Sequence, residues 1–363
     1  MSALSGTLPG RAFPAGEPPV LVRRQGLAGR ITLNRPRALN MLNEPMLGAI
    51  EAALSDWRHD PGIRLVILDA AGTRAFCAGG DIAAVHGRVI AGDSAGARAH
   101  CAREYALDAA IAGYPKPVVV LMDGATMGGG IGLASHASHP VVTERSTLAM
   151  PECAIGWIPD SGASLLLARM PGHLGDWLAL TGEKVGAHDA IALGLARHLV
   201  ASDRLDTLVD RLCRDGETKA LADLEEAPGP ARLLSLQPIV DEVFASAGVP
   251  AVLARLDGIR QGDDTDPGAD ISWASHTAAA MRKASPLSLA LALAAIGQAR
   301  MQGTLEAALA CELSIVSRLM THADFAEGIR AAMIDRDRKP VWHHPHDRVF
   351  EVDELARFLD SSP

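Results

Sequence analysis

Five unbroken apolar residues, Val118-Val119-Val120-Leu121-Met122, run on into four closely spaced glycines, Gly128, Gly129, Gly130 and Gly132. An apolar run without polar alternation is a strand buried on both faces. Glycines just after it allow a sharp turn and a helix start. Two short apolar segments follow between Val141 and Met150, parted by Thr143-Glu144-Arg145-Ser146. The stretch closes on Ala149-Met150-Pro151-Glu152 and Trp157-Ile158-Pro159-Asp160. From Pro117 to Asp160 the pattern predicts a buried strand, a tight turn, a helix start, a strand pair, and a carboxylate held beside a proline. The active site is expected here, with the rest of the chain supporting or covering it.

Upstream, Arg30–Asn34 alternates as a strand stopped by Pro36. Asn43 can cap a helix carrying Leu47, Ile50, Leu54 and Trp57 on one face. Asp60-Pro61-Gly62 is a turn, and Leu65–Leu68 a buried strand. Strand, helix, strand at this spacing makes a parallel crossover, hence an α/β class. Ala75-Phe76-Cys77-Ala78-Gly79-Gly80-Asp81 places two glycines at a strand end. Helices are predicted over about Ala95–Ile111 (carrying Glu104), Gly162–Met170, Leu174–Leu180, Leu287–Met301 and Leu305–Met320. The composition shift at Glu217–Pro230 predicts a linker, Asp257–Asp270 a polar interruption, and His343-His344-Pro345-His346 a loop. The expected organisation is a loose tail over 1–18, a catalytic core over 19–215, and a mainly helical region over 216–363.

Lys and Arg number 34 against 43 Asp and Glu, a net charge of -9, which argues against non-specific nucleic-acid binding. No apolar run reaches the 18 or so residues of a membrane span. The Gly/Pro/Ala-rich start lacks the apolar core of a signal peptide, and five scattered cysteines suit a reducing cytoplasm.

Gly130-Ile131-Gly132-Leu133-Ala134-Ser135 approaches a dinucleotide-binding glycine pattern, but its third glycine is replaced by Ser, and no Gly-Lys-Ser/Thr follows for a phosphate loop. The glycines have two other uses. They can be turn residues with steric duties alone, or the Gly79-Gly80 and Gly128–Gly130 turns can each aim one N–H at a developing oxyanion.

Phe76–Asp81, Met127-Gly128-Gly129-Gly130 and Met150-Pro151-Glu152 together resemble the crotonase (enoyl-CoA hydratase/isomerase) superfamily, with Arg35-Pro36-Arg37-Ala38-Leu39-Asn40 resembling its early CoA-contacting segment. Within it the chain resembles the 3-hydroxyisobutyryl-CoA hydrolase branch. Gly132 stands where hydratases carry a second catalytic glutamate. Gly156-Trp157-Ile158-Pro159-Asp160 resembles the hydrolases' Gly-x-x-Pro-Asp segment. Asp324–Ala331, Ile334–Asp337 and Pro340-Val341-Trp342 resemble their C-terminal signature. The resemblance implies a ββα spiral core with a helical C-terminal region over the active site, and hydrolysis of a short β-hydroxyacyl-CoA as in valine breakdown. It implies oxyanion donors at Gly80 and Gly129, and an acyl pocket of Glu104, Gly129, Glu152 and Asp160, with Gly79, Asp81 and Ala38 also touching substrate. Glu152 would be nucleophile or base, and Asp160 would orient the acyl group or water. No metal or redox cofactor is implied, CoA arriving with the substrate. A homo-oligomer is open, since the family includes trimers and hexamers. An isomerase using Glu152 alone, or a non-catalytic acyl-CoA binder, are the alternatives. Trp157 departs from the smaller or different apolar residue of many relatives, and Gly162-Ala163 from a run of glycines.

The remaining signals are structural by expectation. His136 and His139 could share a helix face. Cys153, beside Glu152 on an extended segment, should point away and pack. Ser161-Gly162 resembles a helix cap. Arg23-Arg24 and Arg35/Arg37 are either a solvated face or contacts to CoA phosphates.

Overall fold

A computed structural model describes residues 18–261 and 271–360. Residues 1–17 of the expected tail, and 262–270 of the expected polar interruption, lie outside the described residues. The strands are β1 (Val20–Gln25), β2 (Ala28–Leu33), β3 (Leu65–Ala70), β4 (Ala75–Cys77), β5 (Val118–Met122), β6 (Ala125–Met127), β7 (His139–Val142), β8 (Thr147–Ala149), β9 (Val185–Gly186) and β10 (His198–Leu199). The helices of the strand-bearing part are α1 (Glu44–Trp57), α2 (Ile82–Ile90), α3 (Ser94–Ala112), α4 (Gly129–Ser135), α5 (Ala163–Ala168), α6 (Leu174–Thr181) and α7 (Ala187–Ala192).

Two sheets share these strands. The larger has the order β1-β2-β3-β5-β7-β10, and the smaller β4-β6-β8-β9. Each circuit of chain gives one strand to each sheet and then a helix: β3-β4 with α2 and α3, β5-β6 with α4, β7-β8 with α5 and α6. This is the ββα spiral. Within the larger sheet all neighbours are parallel except β1 and β2.

The unbroken apolar runs have a physical cause. Val66, Leu68, Val118 and Val120 face the main core, while Leu65, Ile67, Val119 and Leu121 face a second cluster on the sheet's other side. Both faces are covered, so no polar alternation is needed. That outer face is covered by α8 (Leu205–Asp215) and α9 (Lys219–Leu224), through Leu208, Leu212, Leu221 and Leu224. The middle of the expected linker at Glu217–Pro230 is therefore a packed helix, whose apolar Ala220, Leu221 and Leu224 fall at helical spacing on one face. The Asn43 side chain does cap α1, accepting from the Met46 N–H.

The C-terminal helices are α10 (Gln237–Phe244), α11 (Gly248–Gln261), α12 (Ile271–Lys283), α13 (Pro286–Gln302), α14 (Leu305–Leu319), α15 (Ala323–Ile329) and α16 (Val352–Leu359). α11 runs through Asp257 into the expected interruption. α13 packs on α5 and α6, and α14 on α3 and α5. α15 lies against the turn that carries Glu152. A Cβ at Gly328 would stand 2.2 Å from the Ile155 carbonyl, and one at Gly156 2.3 Å from that of Asp324. Among the described residues no single helix is long and apolar enough to cross a membrane.

Candidate active site

The site begins with Asn40, a buried residue in the left-handed region at φ 55°. Its amide donates to the Ala71 and Ala75 carbonyls and its oxygen accepts the Arg35 N–H. This pins Leu39–Leu42 beside the glycine turn: Ala78 donates to Leu39, Leu42 to Gly79, and Asp81 to Leu42. These bonds flank Gly80 and leave its own N–H pointing the other way. Across from it, Gly129 opens α4, where a first-turn N–H has no acceptor within the helix. A Cβ on Gly129 would lie 3.4 Å from the Gly80 nitrogen, so the two N–H groups are neighbours. Neither donates to a protein acceptor among the described residues.

A cavity of about 270 Å³ opens before this pair. Gly79, Gly80, Asp81, Glu104, Gly129, Glu152 and Asp160 all line it. Ala38 does not: its N–H and carbonyl are spent on Arg35 and Met41 within their turn, and Met41 reaches the cavity instead. Asp81 also caps α2, accepting from Ala84.

Three carboxylates converge. Glu152 sits in a tight 3-10 turn, Glu152–Ile155, with Oε1 2.7 Å from where a Gly128 Cβ would stand; its Oε2 is buried without a hydrogen bond. Glu104, from α3, puts Oε1 2.0 Å from a Gly129 Cβ and Oε2 2.8 Å from a Gly80 Cβ. Asp160 accepts two donors on Oδ2, the Tyr105 hydroxyl at 2.6 Å and the Trp157 indole at 2.8 Å.

Burial, and then the Asp160 charge, hold the Glu152 carboxyl well above the usual range. Asp160 is also raised by burial, opposed by the Tyr105 and Trp157 hydrogen bonds. Burial and then Asp160 push Glu104 up to about 8. Folding thus favours protonated Glu104, and its contribution to stability is lost as pH rises from its ordinary 4.5 through about 8. Gln cannot ionise. Glu104→Gln should raise Tm by a few degrees at roughly pH 8.5 and by less than about one degree near pH 4.5, as calorimetry would show.

The structure adds residues that sequence reasoning did not place. Asp108, fully buried, lies one turn beyond Glu104, and burial followed by Glu104 raises its pKa, opposed by the nearby Ser161 hydroxyl. Glu312 of α14 accepts from the Gly162 and Ser164 N–H groups, and burial lifts it to about 8. His100 and Met333 line the cavity as well. His100, Glu104 and Asp108 are spaced i, i+4, i+8, a periodicity that places them on one helix face.

Some expectations are corrected. Cys153 is buried as expected, but inside a 3-10 turn rather than on an extended segment. α4 ends before His139, which begins β7 and stacks on His198, so His136 and His139 share no helix face. Gly162 occupies the cap position of α5, but the capping oxygens come from Glu312 rather than Ser161. Arg23 donates to Thr32 and Arg24 pairs with Asp60. Arg35 donates to the Met41 carbonyl, and Arg37 is exposed on the same turn. Among the described residues no group of three or more His, Cys, Asp or Glu is arranged to hold a metal ion.

The model of the enoyl-CoA hydratase/isomerase family matches residues 28–359. The mitochondrial 3-hydroxyisobutyryl-CoA hydrolase of Rattus norvegicus is 37% identical over 92% of this chain and 86% of its own length. 3-Hydroxyisobutyryl-CoA hydrolase 1 of Arabidopsis thaliana is 35% identical over 90% and 88%. Among solved structures, an enoyl-CoA hydratase from Rhodobacter sphaeroides 2.4.1 superposes with a TM-score of 0.86 at 43% identity, covering 94% of this chain and 97% of that one. A carnitinyl-CoA dehydratase from Mycobacterium thermoresistibile gives 0.87 at 35% identity, covering 95% and 97%.

Proposed function

The chain belongs to the enoyl-CoA hydratase/isomerase family, and we infer that it hydrolyses the thioester of 3-hydroxyisobutyryl-CoA, and of 3-hydroxypropionyl-CoA, to the free hydroxy acid and CoA. The sequence relatives are named as hydrolases of the first substrate, a step of valine breakdown, whereas the solved structures carry hydratase and dehydratase names. Position 132 favours the hydrolase. A Cβ there would stand 2.4 Å from Ser161 Cβ and 2.7 Å from the Ser161 carbonyl. A second glutamate has no room, and addition of water across a double bond by two carboxylates loses one of its pair. What carries the reading is one cavity holding two free N–H groups beside a buried glutamate whose Oε2 has no partner, with position 132 closed.

The thioester carbonyl oxygen accepts from Gly80 and Gly129. Glu152 attacks the carbonyl carbon, a C–O bond forms, and the negative charge moves to the oxygen held by the two N–H groups. Collapse breaks the C–S bond and CoA leaves as thiolate. Water opens the resulting anhydride, delivering the hydroxy acid and returning Glu152. Attack by water with Glu152 as base is the one-step variant, and both routes require Glu152 to be ionised. Asp160 orients the acyl group or the water. This chemistry calls for no metal or redox cofactor. The five cysteines are free and buried, which supports a reducing compartment; the rat relative is described as mitochondrial.

The test is thiol release, followed with a chromogenic disulfide, from 3-hydroxyisobutyryl-CoA, 3-hydroxypropionyl-CoA and crotonyl-CoA. Rapid release from the hydroxyacyl substrates is expected. No release, with a change in enoyl absorbance from crotonyl-CoA, would replace the hydrolase by an isomerase or hydratase.

A further inference from the structure

Trp157 is tied to both carboxylate residues of the proposed reaction. Its main-chain N–H donates to the Glu152 carbonyl at 3.1 Å, and its indole N–H donates to Asp160 Oδ2 at 2.8 Å. Tyr105 donates to the same oxygen at 2.6 Å. No side chain among the described residues donates to Asp160 Oδ1, and Asp160 lines the cavity. The indole is 2% exposed, and its ring stands 4.8 Å from that of Phe325, itself fully buried in α15.

A carboxylate rotates easily about its terminal bond, because that torsion is broad and two-fold. Two donors on one oxygen remove the freedom, and hydrogen bonds to a charged acceptor are the strong kind. Phe325 keeps the indole from turning away. We propose that Trp157 is a positioning residue for the hydrolysis, acting with Tyr105 through Asp160: together they hold Oδ2 so that Oδ1 is presented to the acyl group or the water. The main-chain bond to Glu152 fixes the spacing of the two acids along the loop. This inference rests on the thioesterase reading of the site. Its rival is that Trp157 is core packing whose hydrogen bond is incidental.

A double-mutant cycle separates the two. Wild type, Trp157→Phe, Asp160→Ala and the double variant are assayed for CoA release from 3-hydroxyisobutyryl-CoA, with kcat and KM determined separately. Phe keeps an aromatic ring and loses the N–H. Trp157→Phe should lower kcat about tenfold with KM changed less than about threefold. With Asp160 already Ala, the same change should alter kcat less than about twofold, because its target is gone. Equal losses in the two backgrounds, or no loss in the first, would overturn the proposal. Tyr105→Phe reads the same oxygen by the same criteria and decides the matter if Trp157→Phe does not fold. The indole N–H resonance, assigned by its absence in Trp157→Phe, should move in Asp160→Ala; a resonance that stays in place also overturns the proposal. A wild type that releases no CoA overturns the thioesterase reading and takes this role with it, whereas release with additive losses overturns the positioning role alone.

Discussion

Replacing Glu152 with Gln is expected to lower kcat for CoA release by about 10³- to 10⁴-fold, with KM changed only a few-fold. The amide fills the same buried space, so substrate still binds. It has no charge with which to attack carbon or accept a proton from water. The pH profile of the wild type supplies a companion measurement. Burial and the Asp160 charge raise the Glu152 pKa, so its ionised fraction falls as pH drops through a value above the usual carboxylate range. The acid limb of kcat/KM should therefore lie higher than that of a solvated glutamate. A Gln variant that keeps a tenth or more of the wild-type rate would remove Glu152 from the mechanism.

Gly129→Ala is expected to cost about 10²- to 10³-fold in kcat while leaving the fold in place. The added methyl lies 2.0 Å from Glu104 Oε1 and 3.4 Å from the Gly80 nitrogen, over the paired N–H groups. The side chain it strikes can swing aside, but the thioester oxygen can no longer approach both donors. Gly130→Ala is the matched contrast. Its methyl would meet the Cys77 carbonyl at 2.5 Å, a backbone atom of β4 that has nowhere to go. That variant should lose about 1–3 kcal/mol of stability by overpacking. Denaturant titration beside steady-state kinetics would tell the two effects apart. Similar losses of kcat and similar stability in both variants would argue against a special role for position 129.

Much of this was legible in the sequence because the carriers are local. The Asn43 cap, the face of α1 and the apolar runs of β3 and β5 each lie within a few residues of one another. The turn glycines were visible for the same reason. What stayed hidden depends on distance along the chain or on shortness. The strands of the smaller sheet are two or three residues long, too short for a period of two to register. β1 has only Val20-Leu21-Val22 before Arg23 and Arg24, too short an apolar run to stand out, yet it pairs along its whole length with β2. α9 hid within an acidic, Ala- and Pro-rich stretch that reads as linker. Asp108 could have been found, since it stands four residues after Glu104 on one helix. Glu312 could not, because the groups it caps lie 148 and 150 residues away.

The contact between α15 and the Glu152 turn bears on the timing of synthesis. Gly156 and Gly328 admit the Asp324 and Ile155 carbonyls so closely that turn and helix fit as one piece. Ribosomes deliver the chain from its N-terminus, and the parts made first fold first. Both N–H donors and both acids are thus made well before α15, and a nascent chain halted ahead of Ala323 can pack α6 and α13 against the Glu152 turn but lacks the helix that fits over Gly156. Completion of the site is then expected late in translation, when α15 docks on the Glu152 turn, rather than with each circuit of the spiral.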